Sequence, residues 1–264
     1  MDRDAYRAFT SELVARLDAR PEVLGLVAVG SMAEQEYAPD EWSDHDFYVI
    51  VRPGAQERYR ANTDWLPHPE EVVWAFRETE HGVKVLYRDG HLLEYAIFDE
   101  EELSLAKTNR YRLLLDRAGL EARMAQIVGE TRVWAKESSD LFHAGQFLTN
   151  LLVGMGRYHR GEALSAHLFV KARASEHLAR LLARYVASGQ AELADNIDPT
   201  RRFEMVYPAL GEALAEAMFC EIPEAARRML AIFQREIPAE QAGVPDEVVR
   251  LVAAQIGPGE RREG

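Results

Sequence analysis

Apolar residues recur over residues 4–20 as Tyr6, Phe9, Leu13, Val14 and Leu17, the three-to-four spacing of an amphipathic helix. Residues 23–29 form a Val- and Leu-rich run that stops at Gly30-Ser31, which predicts a strand. A short helical turn is predicted from Met32, followed by a polar loop over 36–43 that contains Pro39. Asp44-His45-Asp46-Phe47-Tyr48-Val49-Ile50-Val51 reads as a second strand, closed by Pro53-Gly54, and residues 56–62 read as a short exposed helix. Three consecutive strands are predicted at 72–78, 83–87 and 91–98, with turns at His81-Gly82 and Asp89-Gly90. Asp-Gly between alternating segments is a strong hairpin signal. Residues 110–115 predict one more strand, stopped by Asp116-Arg117-Ala118-Gly119.

Beyond residue 118 the periodicity changes to helical. Leu141, Phe142, Phe147, Leu148, Leu151, Leu152, Met155 and Tyr158 form one apolar stripe, and Leu164, Leu168, Leu178, Leu181, Leu182 and Tyr185 form another. Asp198-Pro199-Thr200 marks a helix start, and helices are predicted over 201–219, 223–235 and 245–256. The pattern predicts an α+β protein. A small mixed β-sheet domain with flanking helices occupies residues 1–118, and an all-α helical bundle occupies 119–264.

Composition narrows the class without choosing a function. Hydrophobic residues make up 47% and charged residues 28%, as in a soluble globular chain. No apolar run approaches the roughly 18 residues that span a bilayer, so no membrane partner is expected. The net charge of −13 repels nucleic acid and favours a cationic partner. The opening residues 1–7 carry no apolar signal core and the chain has a single cysteine, Cys220, which together predict a reducing cytoplasm. Cys220 follows Ala217-Met218-Phe219 and reads as a small buried hydrophobe, not a nucleophile.

The candidate chemistry lies between residues 24 and 51. Side chains alternate faces in a strand, so Asp44 and Asp46 point one way while His45 and Phe47 point the other. Two carboxylates on one strand face repel each other unless a cation compensates them, and magnesium prefers such hard oxygen ligands. Gly30-Ser31, leaving a strand thirteen residues before the Asp-x-Asp pair, offers backbone N–H groups and a hydroxyl that suit a phosphate. Glu94 lies inside the otherwise apolar run His91-Leu92-Leu93-Glu94-Tyr95-Ala96-Ile97-Phe98, where a carboxylate is costly unless it is paired or bound. It is the expected third ligand, while Asp99 and residues 100–102 are expected to cap the next helix.

The pattern Gly30-Ser31…Ser43-Asp44-His45-Asp46-Phe47, followed by a later strand carboxylate, resembles the DNA polymerase beta nucleotidyltransferase superfamily over residues 20–118. The two-domain layout is similar to that of antibiotic nucleotidyltransferases. The segment Asp198-Pro199-Thr200-Arg201-Arg202-Phe203-Glu204 with Tyr207-Pro208 looks most like the lincosamide branch. The resemblance implies that Asp44, Asp46 and Glu94 hold Mg2+ and that Gly30 and Ser31 hold a nucleoside triphosphate, ATP by expectation. It implies transfer of a nucleoside monophosphate to a hydroxyl of a small, amine-bearing acceptor such as a lincosamide or aminoglycoside antibiotic. It also implies homodimers for many members. One departure stands out: many members carry a base three positions after the motif serine, and here that position is Glu34. Either Glu34 points away, or Lys84, Lys107, Arg110 or another base meets the phosphate charge.

Other residues earn weaker expectations. His45, on the face opposite the aspartates, is expected to pack against the bundle. Glu162, in Arg160-Gly161-Glu162, begins a helix, which explains it without a role as base. His143, His159, His167 and His177 lack zinc-ligand spacing, and Arg201 and Arg202 read as solvated helix-start charges. Acids of the second half (Asp140, Glu162, Glu176, Asp195, Glu204, Glu212 and Glu216) are expected to help recognise a cationic acceptor. The competing functions are a superfamily transferase acting on a protein or another acceptor, and a non-catalytic nucleotide-binding module.

Overall fold

The first helix forms where the periodicity places it. In the computed structural model, which describes residues 1–35 and 37–257, α1 (Arg3–Asp18) opens with the Asp2 carboxylate accepting the Ala5 N–H at 2.8 Å. Its buried face carries Tyr6, Phe9, Leu13 and Leu17. Each of these contributes roughly 1.5–3 kcal/mol of transfer free energy on burial. Strand β1 (Val23–Ala28) leads to a single 3₁₀ turn, Gly30–Ala33, and then to β2 (His45–Val51). Residue 36, the first of the expected loop, lies outside the described residues. Helix α2 (Gln56–Ala61) is short but not fully exposed, since Tyr59 is buried beneath it. Strands β3 (Val72–Arg77), β4 (Gly82–Tyr87), β5 (Leu92–Phe98) and β6 (Arg112–Asp116) complete a six-stranded sheet in the order β3-β4-β5-β2-β1-β6.

All neighbours in this sheet are antiparallel except β2 and β5, which run parallel. Their register sets His45 beside Leu93, Asp46 beside Glu94 and Phe47 beside Tyr95. One sheet face is covered by α1, whose core includes Phe47, Val49, Val83, Val85, Leu93 and Tyr95. The other face is covered in part by α3 (Glu121–Trp134), whose Met124 and Ile127, together with Leu120 just before the helix, pack on Val27, Val29 and Ile50. The chain divides into two compact units, Met1–Trp134 and Ala135–Gly264. Residues 119–134, assigned from the sequence to the second half, therefore pack with the sheet.

The second unit is helical. Helix α4 (Asp140–His159) buries Phe147, Leu148, Leu151 and Met155 but leaves Leu141, Phe142 and Tyr158 exposed, so only the middle of the predicted stripe is core. Helix α5 (Ala163–His167) continues through a π-helical stretch, Leu168–Ala174, into α6 (Ser175–Tyr185). Leu178, Leu181 and Leu182 are buried, whereas Leu164 and Leu168 are exposed. The helix expected from residue 201 does not begin there. The Asp198 carboxylate accepts from the Thr200 backbone N–H at 2.9 Å and its hydroxyl at 2.6 Å, closing a turn, and Arg202 takes a left-handed conformation. Helix starts at α7 (Phe203–Val206) and restarts at α8 (Pro208–Phe219), because Pro208 has no N–H to continue the ladder but suits a first helical turn. Helices α9 (Ile222–Glu236) and α10 (Asp246–Ile256) close the bundle. Cys220, at the end of α8, is half-buried against the bundle core. Among the described residues no helix is long and apolar enough to cross a membrane.

Candidate metal centre

Asp44 stands just before β2 and Asp46 within it, and the parallel crossover sets Glu94 of β5 directly beside Asp46. The carboxylates of Asp44, Asp46 and Glu94 each offer an oxygen within 4.8 Å of the others. All three residues are partly buried. An ion with bonds of about 2.1 Å needs oxygens roughly 3–4 Å apart, so the cluster would close by up to about 2 Å around one cation.

The surroundings hold the acids in place. The Tyr6 hydroxyl of α1 donates to the Asp44 carbonyl oxygen at 2.9 Å. Burial raises the Tyr6 hydroxyl pKa far above its ordinary value, and the charges of Asp46, Asp44 and Glu34 add to the rise. The Tyr48 hydroxyl is raised too, by burial first and then by Asp46. Both tyrosines thus remain neutral. On the far side of Glu94, Lys84 of β4 faces it in register, its Nζ 2.8 Å from Glu94 Oε1 and 3.1 Å from Glu78 Oε1. Hydrogen bonding to Glu94 and then Glu78 raises the Lys84 pKa, so this base stays protonated.

Gly30 and Ser31 meet the cluster from the β1 side. Gly30 has φ +54, and a β-carbon there would lie 2.6 Å from Asp46 Oδ2. Only glycine both adopts this backbone readily and lets the carboxylate approach so closely. The Ser31 hydroxyl is buried and completes no hydrogen bond of ordinary geometry. It lies by the Tyr6 hydroxyl, whose proton goes to Asp44. An orphaned buried hydroxyl beside three hard carboxylate donors fits a site that receives a ligand.

Glu34 is not left facing a phosphate. It sits in a left-handed conformation and pairs with Arg112 Nη1 at 3.1 Å and, more loosely, with Arg7 Nε at 3.8 Å. Arg112 opens β6 beside Ala28 of β1, and its Nη2 donates to the Met32 carbonyl at 3.0 Å. The base next to the Gly30–Ser31 turn is therefore Arg112, which the sequence reading did not single out. Lys107 lies 3.7 Å over the Trp134 ring, and Arg110 is buried near the Tyr37 ring.

His45 points away from the aspartates and packs on α1. Its ring stacks on Tyr6 at 3.7 Å, with Thr10 Oγ1 3.0 Å from one nitrogen and His91 2.7 Å from the other. Burial first, then the neighbouring imidazole, lowers its pKa to about 3, and burial lowers His91 to about 4. Asp99 caps as expected, accepting the Glu101 and Glu102 N–H groups at 3.0 and 2.8 Å. Glu162 is held by Arg157 at 2.5 Å and Arg160 at 2.8 Å, a local ion-pair cluster. Arg202 pairs with Asp195 at 3.2 Å and Arg201 more loosely at 3.9 Å. His143 and His177 contact each other through Nδ1 atoms 3.0 Å apart.

No protein-family model matches the chain, and no curated protein matches it at the required significance. Among solved structures, it is similar to a nucleotidyltransferase-like protein from Exiguobacterium sibiricum 255-15, at 16% identity and a TM-score of 0.35, covering 98% of this chain and 80% of that one. It is also similar to an aminoglycoside 6-adenyltransferase from Bacillus subtilis, at 13% identity and a TM-score of 0.33, covering 94% and 97%. Superposition this loose leaves function to the geometry of the site itself.

Proposed function

We propose that the protein is a magnesium-dependent nucleotidyltransferase that moves a nucleoside monophosphate, AMP from ATP, onto a hydroxyl of a small amine-bearing acceptor of the aminoglycoside or lincosamide kind. The observation that carries this reading is the convergence of Asp44, Asp46 and Glu94 to within 4.8 Å, with Gly30 against Asp46 and an unsatisfied Ser31 hydroxyl alongside. The donor set is all hard oxygen, with no thiolate or imidazole, which suits magnesium or manganese better than zinc.

The roles follow from position. Asp44, Asp46 and Glu94 would hold the cation, which supplies positive charge for the attacking and leaving oxygens of an in-line displacement. The glycine backbone at Gly30 and the Ser31 hydroxyl would face the triphosphate, with Arg112, paired to Glu34 and donating to the Met32 carbonyl, the nearby base. The acceptor oxygen forms a bond to the α-phosphorus, the bond from that phosphorus to the bridging oxygen breaks, and pyrophosphate leaves with the electron pair. Glu94 lies on the side of Asp46 away from β1 and Gly30, so the acceptor hydroxyl would approach Glu94, which receives its proton or, where it holds the cation instead, leaves that proton to solvent water.

The net charge of −13 supports a small cationic acceptor over a polynucleotide. The test is pyrophosphate release from ATP and Mg2+ across aminoglycosides, lincosamides and neutral sugars. Turnover with an amine-bearing drug that is lost in Asp44→Asn and Asp46→Asn supports the reading. Turnover only with neutral sugars or a protein acceptor, or unchanged turnover in both variants, refutes it.

A further inference from the structure

The sheet carries a surface that the metal centre does not use. Asp46, Glu94, Lys84 and Phe76 form one continuous cross-strand row, read from β2 through β5 and β4 to the edge strand β3. Cross-strand neighbours share a face, so Phe76 stands on the same side of the sheet as the carboxylates. A second row runs parallel to it. Leu92, Leu86 and Trp74 are paired in register, and one step back from the His45–Leu93 pair sets Asp44 beside Leu92.

These rows end in exposed aromatic surface. Trp74 is 59% exposed and Phe76 37%, and their rings stack on each other at 4.6 Å with planes 25° apart. The covered face of β4 is different: Val83, Val85 and Tyr87 pack into the core beneath α1, whereas Val73 and Ala75 on the other face of the edge strand β3 are exposed as well. Exposed large aromatics that are stacked, adjacent and aligned with a catalytic row call for an explanation that burial does not give. Adjacent strands are about 4.8 Å apart, so Phe76 lies roughly 10 Å from Glu94 along the row, within the span of a two-ring molecule.

Charge selects the occupant. Glu78 and Glu94 flank the shelf, and Lys84 between them is the one ammonium that both share. Two carboxylates against one ammonium leave the shelf with a net negative charge even where a cation compensates Asp44 and Asp46. A cation is therefore attracted and a polyphosphate strand repelled.

We infer that the Trp74–Phe76 pair is the acceptor-binding shelf of the transferase, receiving the apolar ring face of a polyhydroxylated, ammonium-bearing small molecule whose hydroxyl points to Glu94. The inference rests on the nucleotidyltransferase reading and adds to it the place where the acceptor lies and the surface that selects it. Triphosphate and acceptor are thereby separated: the Gly30 side of Asp46 takes the first, and the β5-β4-β3 side takes the second.

The experiment is calorimetric titration of the full chain with Mg2+ and AMPCPP, an ATP analogue that cannot be cleaved at the α,β position, followed by kanamycin or lincomycin. The wild type should bind at least one of the two drugs. Trp74→Ala and Phe76→Ala should each weaken that binding about tenfold, leave AMPCPP affinity unchanged, and be partly rescued in Trp74→Phe. Both positions are exposed, so unaltered melting temperatures confirm that the variants fold. Wild type that binds AMPCPP but neither drug overturns the shelf, as does drug affinity indifferent to both substitutions. A single-stranded oligonucleotide bound through Trp74 and Phe76 overturns it in favour of a polynucleotide acceptor. Wild type that fails to bind AMPCPP overturns the nucleotide reading itself and the shelf with it.

Discussion

Replacing Gly30 by alanine separates two effects that the structure superimposes at one residue. The backbone there has φ +54, and an alanine held in that region costs about 1 kcal/mol or somewhat more. The added methyl would also stand 2.6 Å from Asp46 Oδ2. Ordinary carbon–oxygen contact needs roughly 3.3 Å, so the carboxylate must retreat by about 0.5–1 Å or the turn must shift. A displacement of that size at a metal ligand costs about 100-fold in turnover. Gly90 is the control, with φ +88 and nothing within 4 Å of a β-carbon. Gly90→Ala should lose a similar 1–2 kcal/mol and keep full activity, whereas Gly30→Ala should lose both. Thermal unfolding measures the first quantity, and Mg2+-dependent pyrophosphate release the second. If Gly30→Ala matches Gly90→Ala in turnover, the close approach to Asp46 plays no part in the site.

Three further outcomes follow from named contacts. Arg112→Met should raise the KM for ATP about tenfold and leave the acceptor KM unchanged, because the guanidinium stands by the Gly30–Ser31 turn and is remote from β5; an acceptor-specific effect would contradict this placement. Lys84→Met should tighten Mn2+ binding several-fold, since the ammonium at 2.8 Å competes with a cation for Glu94; unchanged affinity would mean that Glu94 is not a ligand. His45 and His91 are buried neutral with folded pKa values lowered to about 3 and about 4, below the unfolded value near 6.5. The unfolded chain thus binds more protons below that value, so their contribution is intact at pH 7 and is lost as pH falls from about 6.5 toward 4, by on the order of 3 kcal/mol for His91 alone. Melting temperatures across that range should fall less steeply for the first unit of His45→Phe/His91→Leu than for wild type, and equal slopes would contradict the assignment.

Local pattern carried much of this site. Alternation put Asp44 and Asp46 on one face and His45 on the other, and a lone carboxylate in an apolar run marked Glu94. The same signal marks Lys84, a single charge within the run Val83–Tyr87, and would have placed it opposite Glu94 had the pairing been known. What the sequence could not supply was non-local. Nothing in residues 45–98 states that β2 and β5 run parallel and adjacent, although that crossover alone sets Asp46 beside Glu94. Arg112 was missed for the same reason: its neighbour Glu34 is distant along the chain and meets it only because β6 pairs with β1. The helix expected over 201–219 starts two residues late and breaks at Tyr207 on local grounds, since Asp198 spends its side chain on a turn and Pro208 interrupts the ladder. Helix α3 has little apolar asymmetry along its sequence, and its attachment to the sheet is decided by Leu120, Met124 and Ile127 finding Val27, Val29 and Ile50.

Asp44, Asp46 and Glu94 are proposed to share one divalent cation. Titration with Mn2+, followed by its electron paramagnetic resonance signal in the presence of AMPCPP, tests it directly, because bound and free ion differ and no acceptor is needed. The wild type should bind, and Asp46→Asn should weaken binding at least tenfold with its melting temperature unchanged or raised by relief of carboxylate repulsion. Mn2+ affinity identical in wild type and Asp46→Asn would show that Asp46 holds no cation.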